Sequence, residues 1–287
     1  MSHTSPLISP GALAEQLKQG TSLLVVDCSF DLADPSTGLR VHEAGHIPGA
    51  VHAHLEDVLS GPKNGHNGRH PLPERERFAA DMARLGAGDD TLIVAYDQAG
   101  GMYAARLWWM LRWVGHQAVR VLDGGWPAWK AAGLPVEQGS AEAGRSTGRF
   151  SLRPSLVQQV SYEDVKANLA THEKLVIDAR APDRFRGENE TLDPIGGHIP
   201  DARNRLFRNN LQADGRFKPA QELRAEFEQA LQGYEPAQVI NQCGSGVTAC
   251  HNLLAMELAG LHGAALYPGS WSEWCAQLGA AVATDAA

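Results

Sequence analysis

The chain is written twice. In the first half "LLVVDCSFD" is followed by "EAGHIPGAVHAH"; in the second, "KLVIDARAPDRF" is followed by "IGGHIPDARN". Further on, "TLIVAYDQAGGMYAARLWWMLRWVG" is answered by "AQVINQCGSGVTACHNLLAMELAG", and "LDGGWPAWKAAGLPV" by "YPGSWSEWCAQLGA". Asp27 and Asp178 stand 151 residues apart, His46 and His198 152, and the tryptophan pairs Trp126/Trp271 and Trp129/Trp274 145. Anchors in one order at a nearly constant offset mark a tandem duplication of a unit of about 130 residues.

Within each copy, short β-branched runs ("SLLVVDC", "TLIVAY", "AVRVL"; then "KLVIDA", "QVINQ", "GAALY") alternate with amphipathic stretches, several closed by Gly at the helix end. Such runs read as buried strands of a parallel sheet. Their alternation with helices predicts an α/β unit, a parallel sheet with helices on both faces. Residues 139–156, within a stretch rich in Gly, Ser and charge, read as a linker. The expected domains are therefore 1–138 and 157–287. In such sheets ligands bind beyond the carboxyl ends of the strands, and "QVINQ" ends directly at Cys243.

Bulk properties exclude several function classes. A net charge of −8 with no long basic run gives nucleic acid little to bind. No apolar run approaches the ~20 residues of a membrane helix. "MSHTSPLISP" has neither the basic start nor the apolar core of a secretory signal, so a cytoplasmic location is expected. Four cysteines, with no CxxC pair and no zinc-like spacing to histidines, read as reduced thiols, and neither a metal nor an organic cofactor is expected.

The stretch "QCGSGVTAC", residues 242–250, joins a strand to a helix that should begin near Ala249 or Cys250. Gly244 and Gly246 open backbone conformations closed to other residues. Successive amides can then turn inward as an anion nest, to which a helix N-terminus adds partial positive charge. A cysteine at its mouth is favoured as thiolate. Ser245 and Thr248 add hydroxyl donors. A plain Gly-rich turn over a packed cysteine is the alternative. The other copy weighs against it: there the equivalent stretch is Asp97-Gln98-Ala99-Gly100-Gly101, so the scaffold does not require cysteine. A nested thiolate suits phosphate-ester hydrolysis or sulfur transfer. The first needs an arginine six residues on to hold the phosphate, and that residue is Ala249. The second keeps sulfur as a persulfide, a second anion that the same nest stabilises.

Two tandem α/β units, "GHIP" in each, an Asp-bearing first loop and "CGSGVTA" in the second resemble the two-domain rhodanese/sulfurtransferase family, with the loop, the following "CHN" and "YPGSWSEW" the specific stretches; within the family the loop resembles that of 3-mercaptopyruvate sulfurtransferases. Thiosulfate-specific members usually carry bulky or basic residues after the cysteine, where this chain has Gly244 and Ser245. The resemblance implies that Cys243 is the nucleophile and persulfide carrier and that Ser245 bonds the donor and helps move a proton. It implies a cradle from the amides of Gly244, Ser245, Gly246, Val247 and Thr248. Arg184 matches an arginine that grips the donor carboxylate, and His70, in "GRHPLP", one that approaches the active serine with an acid near Glu56 or Asp57 behind it. The first domain would be inactive, with Asp97 in place of cysteine. The implied activity moves sulfur from 3-mercaptopyruvate, or alternatively thiosulfate, to cyanide, a small thiol or a protein thiol. A non-catalytic anion- or partner-binding module is the rival from another class. One departure stands out: the family's second arginine before "GHIP" is missing from "GENETLDPIGGHIP", leaving Arg186 as the nearest stand-in.

The remaining conspicuous residues read as structural. Tryptophans repeated in both copies read as core. His46 and His198 are expected to make structural hydrogen bonds, and Asp178 to tie down the loop bearing Arg180 and Arg184. Arg180 is open to two roles, touching substrate or pairing with an acid. "NGHNGRH" (64–70) reads as a flexible Asn/Gly loop.

Overall fold

A computed structural model describes residues 5–140 and 147–285. The chain forms two compact units: residues 1–61, 73–156 and 211–217 in the first, and 62–72, 157–210 and 218–287 in the second.

The first unit runs β1 (Leu7–Ile8), α1 (Pro10–Lys18), β2 (Leu23–Asp27), α2 (Thr37–Ala44), β3 (Val51–His52), α3 (Arg75–Arg84), β4 (Leu92–Tyr96), α4 (Ala104–Trp113), β5 (Val119–Leu122) and α5 (Gly125–Ala131). The second repeats it with β6 (Gln158–Gln159), α6 (Tyr162–Thr171), β7 (Leu175–Asp178), α7 (Pro182–Phe185), β8 (Arg203–Asn204), α8 (Ala220–Leu231), β9 (Val239–Gln242), α9 (Thr248–Leu258), β10 (Ala265–Leu266) and α10 (Ser270–Trp274). The sheets have the orders β1-β5-β4-β2-β3 and β6-β10-β9-β7-β8, and every pairing is parallel. The duplication read from sequence is thus a duplication of topology. Parallel neighbours need crossovers, and each amphipathic stretch between strands supplies one.

Each core is built on the repeated anchors. Trp126 and Trp129 pack with Val25, Val94 and Leu122 in the first unit. Trp271 and Trp274 pack with Val176, Ile240 and Phe185 in the second. Their indole N–H groups are satisfied, Trp129 by Pro135 O, Trp271 by Ile195 O and Trp274 by Ala281 O. The histidines of the two "GHIP" motifs are buried and bonded alike: His46 Nδ1 to His42 O and His198 Nδ1 to Phe185 O, both at 2.8 Å. These are the structural roles expected from repetition.

Two segments depart from the sequence reading. Residues 62–72, taken as part of the first domain, belong to the second unit. The tract 64–70 is not a loose loop. Asx contacts fold it on itself, His66 N–H to Asn64 Oδ1 and Asn67 Nδ2 to Pro62 O. Gln277 Nε2 and Ser272 Oγ then tie it to the chain around α10, through His66 O and Arg69 N–H. Of the expected linker, residues 141–146 lie outside the described residues. The part after them is docked on the first unit, with Ser151 N–H and Oγ on Asp89 and Arg153 N–H on Val114 O. Among the described residues no helix is long and apolar enough to cross a membrane.

Candidate active site

β9 ends at Gln242, as expected, and delivers Cys243 to the carboxyl edge of its sheet. α9 starts at Thr248, a residue or two earlier than the sequence suggests, so only four residues separate the cysteine from the helix. Two features fold them. Gly246 has φ +76°, and a Cβ there would run into Pro268 O, so no other residue fits. Gly244 is glycine for a different reason than expected. Its φ is not left-handed; instead a Cβ would lie 2.7 Å from Nη2 of Arg69 and 3.6 Å from Nη2 of Arg184. Glycine at this position lets the ends of two arginine side chains approach the main chain.

α10 supports the loop from behind. Trp271 N–H donates to Cys243 O (3.0 Å), Ser272 N–H to Gly244 O (2.9 Å), and Ser270 Oγ accepts the Cys243 N–H (3.1 Å) while donating to Tyr267 O. The first unit makes the matching bond from Trp126 N–H to Asp97 O (2.9 Å). There the residue equivalent to Ser270 is Gly125, and both have φ +54°. A left-handed conformation that disfavours side chains is held in the second unit by a serine, whose hydroxyl caps the nucleophile's amide.

The two loops differ most in what fills them. In the first unit the Asp97 carboxylate turns back into its own nest. It accepts four amide N–H bonds, from Ala99 (2.7 Å), Gly101 (2.9 Å), Tyr103 (2.7 Å) and Ala104 (2.9 Å). Burial pushes this carboxyl above its ordinary range, against the pull of those four donors. In the second unit, the main-chain N–H groups of Gly244, Ser245, Val247 and Thr248 have no acceptor among the described residues. The same architecture thus holds its own anion in one copy and offers amides beside a thiol in the other.

Cys243 is 2 % exposed. Ser245 Oγ and His70 Nδ1 share a 2.8 Å hydrogen bond, so the histidine implied by the resemblance does meet the serine, on a segment of the second unit. Asp57 faces His54 in the first unit (3.2 Å). The other three cysteines are free and buried. Burial pushes Cys28 well up and Cys275 to about 11, and Cys250 Sγ lies 3.3 Å from Gly246 O as a packed thiol beneath the loop.

The arginines sort themselves by partner. Arg184 reaches the loop. Its Nε and one Nη hold Glu190 bidentately (2.8–3.1 Å), with Asp193 3.6 Å away, and its side chain stays 21 % exposed. Arg180 pairs with an acid. It is clamped on Asp178 (2.6–3.1 Å) and Gly197 O, stacks 4.8 Å from the Trp271 ring, and its side chain is only 1 % exposed. Burial opposes its charge, but Asp178, Glu190 and the Cys243 sulfur outweigh that and raise its ordinary value. Arg186, the nearest stand-in for the missing second arginine, does not reach the loop's glycine as Arg184 does. It points to the surface and is spent on Glu188 (2.7 Å). "CHN" is likewise structural: buried His251 and Asn252 bind Asn210 and anchor the segment after β8.

Two residues that reach the Cys243 loop escaped the sequence reading, Arg69 and Ser270. Ser270 carried a signal, since it breaks the match to Gly125 in an otherwise parallel stretch. Arg69 carried none, because only the fold of 62–72 brings it to Gly244.

Comparison with known proteins identifies the family and the fold. The rhodanese-like domain model matches residues 9–132 and 161–277. A probable 3-mercaptopyruvate sulfurtransferase of Pseudomonas aeruginosa is 44 % identical over 94 % of this chain and 95 % of its own length. A thiosulfate sulfurtransferase of Rattus norvegicus is 35 % identical over 93 % and 91 %. A crystal structure of an Escherichia coli 3-mercaptopyruvate sulfotransferase with the "rhodanese" fold superimposes with a TM-score of 0.81 at 30 % identity, covering 93 % of this chain and 99 % of that one. The chain belongs to the rhodanese family, and carries its domain twice.

Proposed function

We propose that this chain is a sulfurtransferase that takes sulfur from 3-mercaptopyruvate onto Cys243 and passes it to cyanide or a thiol, small or protein-borne. The contrast between the two nests carries the reading: where Asp97 fills one with its own carboxylate, Cys243 stands beside free amides in the other. Close relatives named for this activity support it.

The Cys243 thiolate attacks the donor's sulfur. An S–S bond forms, the donor's C–S bond breaks, and its electron pair passes to carbon as the enolate of pyruvate. That enolate takes the proton that the donor's thiol gives up, which leaves the outer sulfur anionic, and the Ser245–His70 pair is the route at hand for it. The outer sulfur keeps its negative charge, now over the amides of residues 244–248, which stabilise it without reorganising. Cyanide then attacks that sulfur, thiocyanate leaves, and the electron pair of the S–S bond returns to Cys243 as thiolate. No step calls for a metal or an organic cofactor. A thiol that must stay reduced between turnovers suits a cytoplasm.

Thiocyanate formation measured in parallel from 3-mercaptopyruvate and thiosulfate tests the donor. A preference above about tenfold for thiosulfate, a difference of about 1.4 kcal/mol, overturns it. Donor treatment should add one sulfur atom to the Cys243 peptide, and Cys243→Ala should abolish both the mass gain and turnover. Persistence of turnover in that variant would leave only a binding module.

A further inference from the structure

We infer that Arg69 is a donor-binding residue: with Arg184 it forms a two-guanidinium clamp over Gly244 for the carboxylate of a small sulfur donor. The inference rests on the sulfurtransferase reading and supplies the second cation that the segment before "GHIP" lacks.

Four observations converge. Both guanidinium groups reach one point on the chain, the residue after the nucleophile. The position of a Gly244 Cβ lies 2.7 Å from Arg69 Nη2 and 3.8 Å from Arg184 Nη1. Both groups keep unspent donors there. Arg69 bonds Asp193 through Nη1 and its own peptide N–H rests on Ser272, yet its Nη2 has no acceptor among the described residues and its buried Nε has none either. Arg184 gives Nε and Nη2 to Glu190 and leaves Nη1 unspent. Both are held from one side by nearly buried acids, Glu190 at 4 % and Asp193 at 3 % exposure, while the guanidinium-bearing side chains remain 21–25 % open. Pinned cations with free, planar N–H edges are preorganised for a carboxylate. Finally, Gly244 carries no side chain to hold the two guanidinium groups away from the main chain beside the nucleophile.

The clamp also fixes the donor's orientation. A carboxylate over Gly244 sets the rest of a three-carbon donor within reach of Cys243 and of the Ser245–His70 pair. A bulky residue at 244 would fill that place.

The test is steady-state kinetics on the full chain with 3-mercaptopyruvate and cyanide. Arg69→Ala should raise KM for the donor at least tenfold, leave KM for cyanide within twofold, and leave discharge of a preformed Cys243 persulfide by cyanide unchanged. Arg69→Lys, which keeps the charge but not the planar fork, should recover only part of the loss. Because Arg69→Ala strands the buried Asp193 carboxylate, the double variant Arg69→Ala/Asp193→Asn is measured alongside. A donor KM that stays raised there supports the clamp; a return to the wild-type value overturns it, making Arg69 only the counter-ion of Asp193. Pyruvate binding to the Cys243→Ser protein, followed by tryptophan fluorescence or calorimetry, reads the clamp without turnover. A Kd at least tenfold weaker on adding Arg69→Ala supports it, and an unchanged Kd overturns it. If the wild type makes thiocyanate from neither donor, the activity falls while that binding result still decides the clamp.

Discussion

The Asp97 carboxylate offers the sharpest test of how these loops work, because it lies in the repeat without a cysteine. Replace it with alanine. Four amides lose their acceptor at once, and three of the bonds, from Gly101, Tyr103 and Ala104, are buried. A buried N–H left unsatisfied costs ~1–3 kcal/mol. Ala99 N–H is only part-buried and can turn to water. Three donors at the low end give a loss of about 3 kcal/mol, and some relaxation keeps it from the full sum, so ~3–5 kcal/mol is expected. For a unit of this size that corresponds to a fall of roughly 10 °C in Tm. Asp97→Asn should be nearly as costly. Its one carbonyl oxygen can serve two of the amides, but its NH2 then faces the other two, donor against donor. Urea unfolding followed by tryptophan fluorescence is the assay, since five of the seven tryptophans (Trp108, Trp109, Trp113, Trp126 and Trp129) belong to the first unit. A loss below about 1 kcal/mol in both variants, no more than an ordinary surface change produces, would refute the idea that the fold makes an anion site here that must be filled.

Two further perturbations follow from the second unit. Ser270→Ala removes the acceptor of the Cys243 N–H while keeping the left-handed backbone, so a loss of ~1–3 kcal/mol and slower turnover are expected, whereas Ser270→Gly should recover part of the stability but not the rate; equal rates in all three proteins would remove Ser270 from the site. Glu190 gives a pH dependence. Burial opposes its charge, but the Leu192 N–H and the Arg184 guanidinium hold its carboxyl below the ordinary 4.5. A lowered carboxyl contributes stability that is fully present above its unfolded value and is lost as pH falls through its folded value. The resistance of the second unit to chemical unfolding should therefore weaken below about pH 4.5, and Glu190→Gln should flatten that slope; an unchanged slope would mean that Arg184 is held by something else.

Local chemistry and repetition were enough to reveal the duplication, the α/β alternation and the strand end at Gln242, and to single out Cys243 as the candidate nucleophile. Comparison of the copies did most of this: Trp126 with Trp271 marks core, and Asp97 with Cys243 marks chemistry. Those readings hold because strand period, helix ends and glycine turns are set by residues close together in sequence. The arginines were another matter. Arg180, Arg184 and Arg186 lie within seven residues, and nothing local says that Asp178 buries the first, that Glu188 draws the third to the surface, or that Glu190 leaves the second facing the loop. Charge pairing is decided by which acid the fold brings near. Arg69 shows the same limit over a longer range, since it lies 175 residues from Gly244 in sequence and only the docking of 62–72 on the second unit joins them. The sequence by itself singled out the candidate nucleophile, because a nest and a helix start are local; which guanidinium groups gather at Gly244 was decided by tertiary structure, because Arg69 and its partner Asp193 lie 124 residues apart.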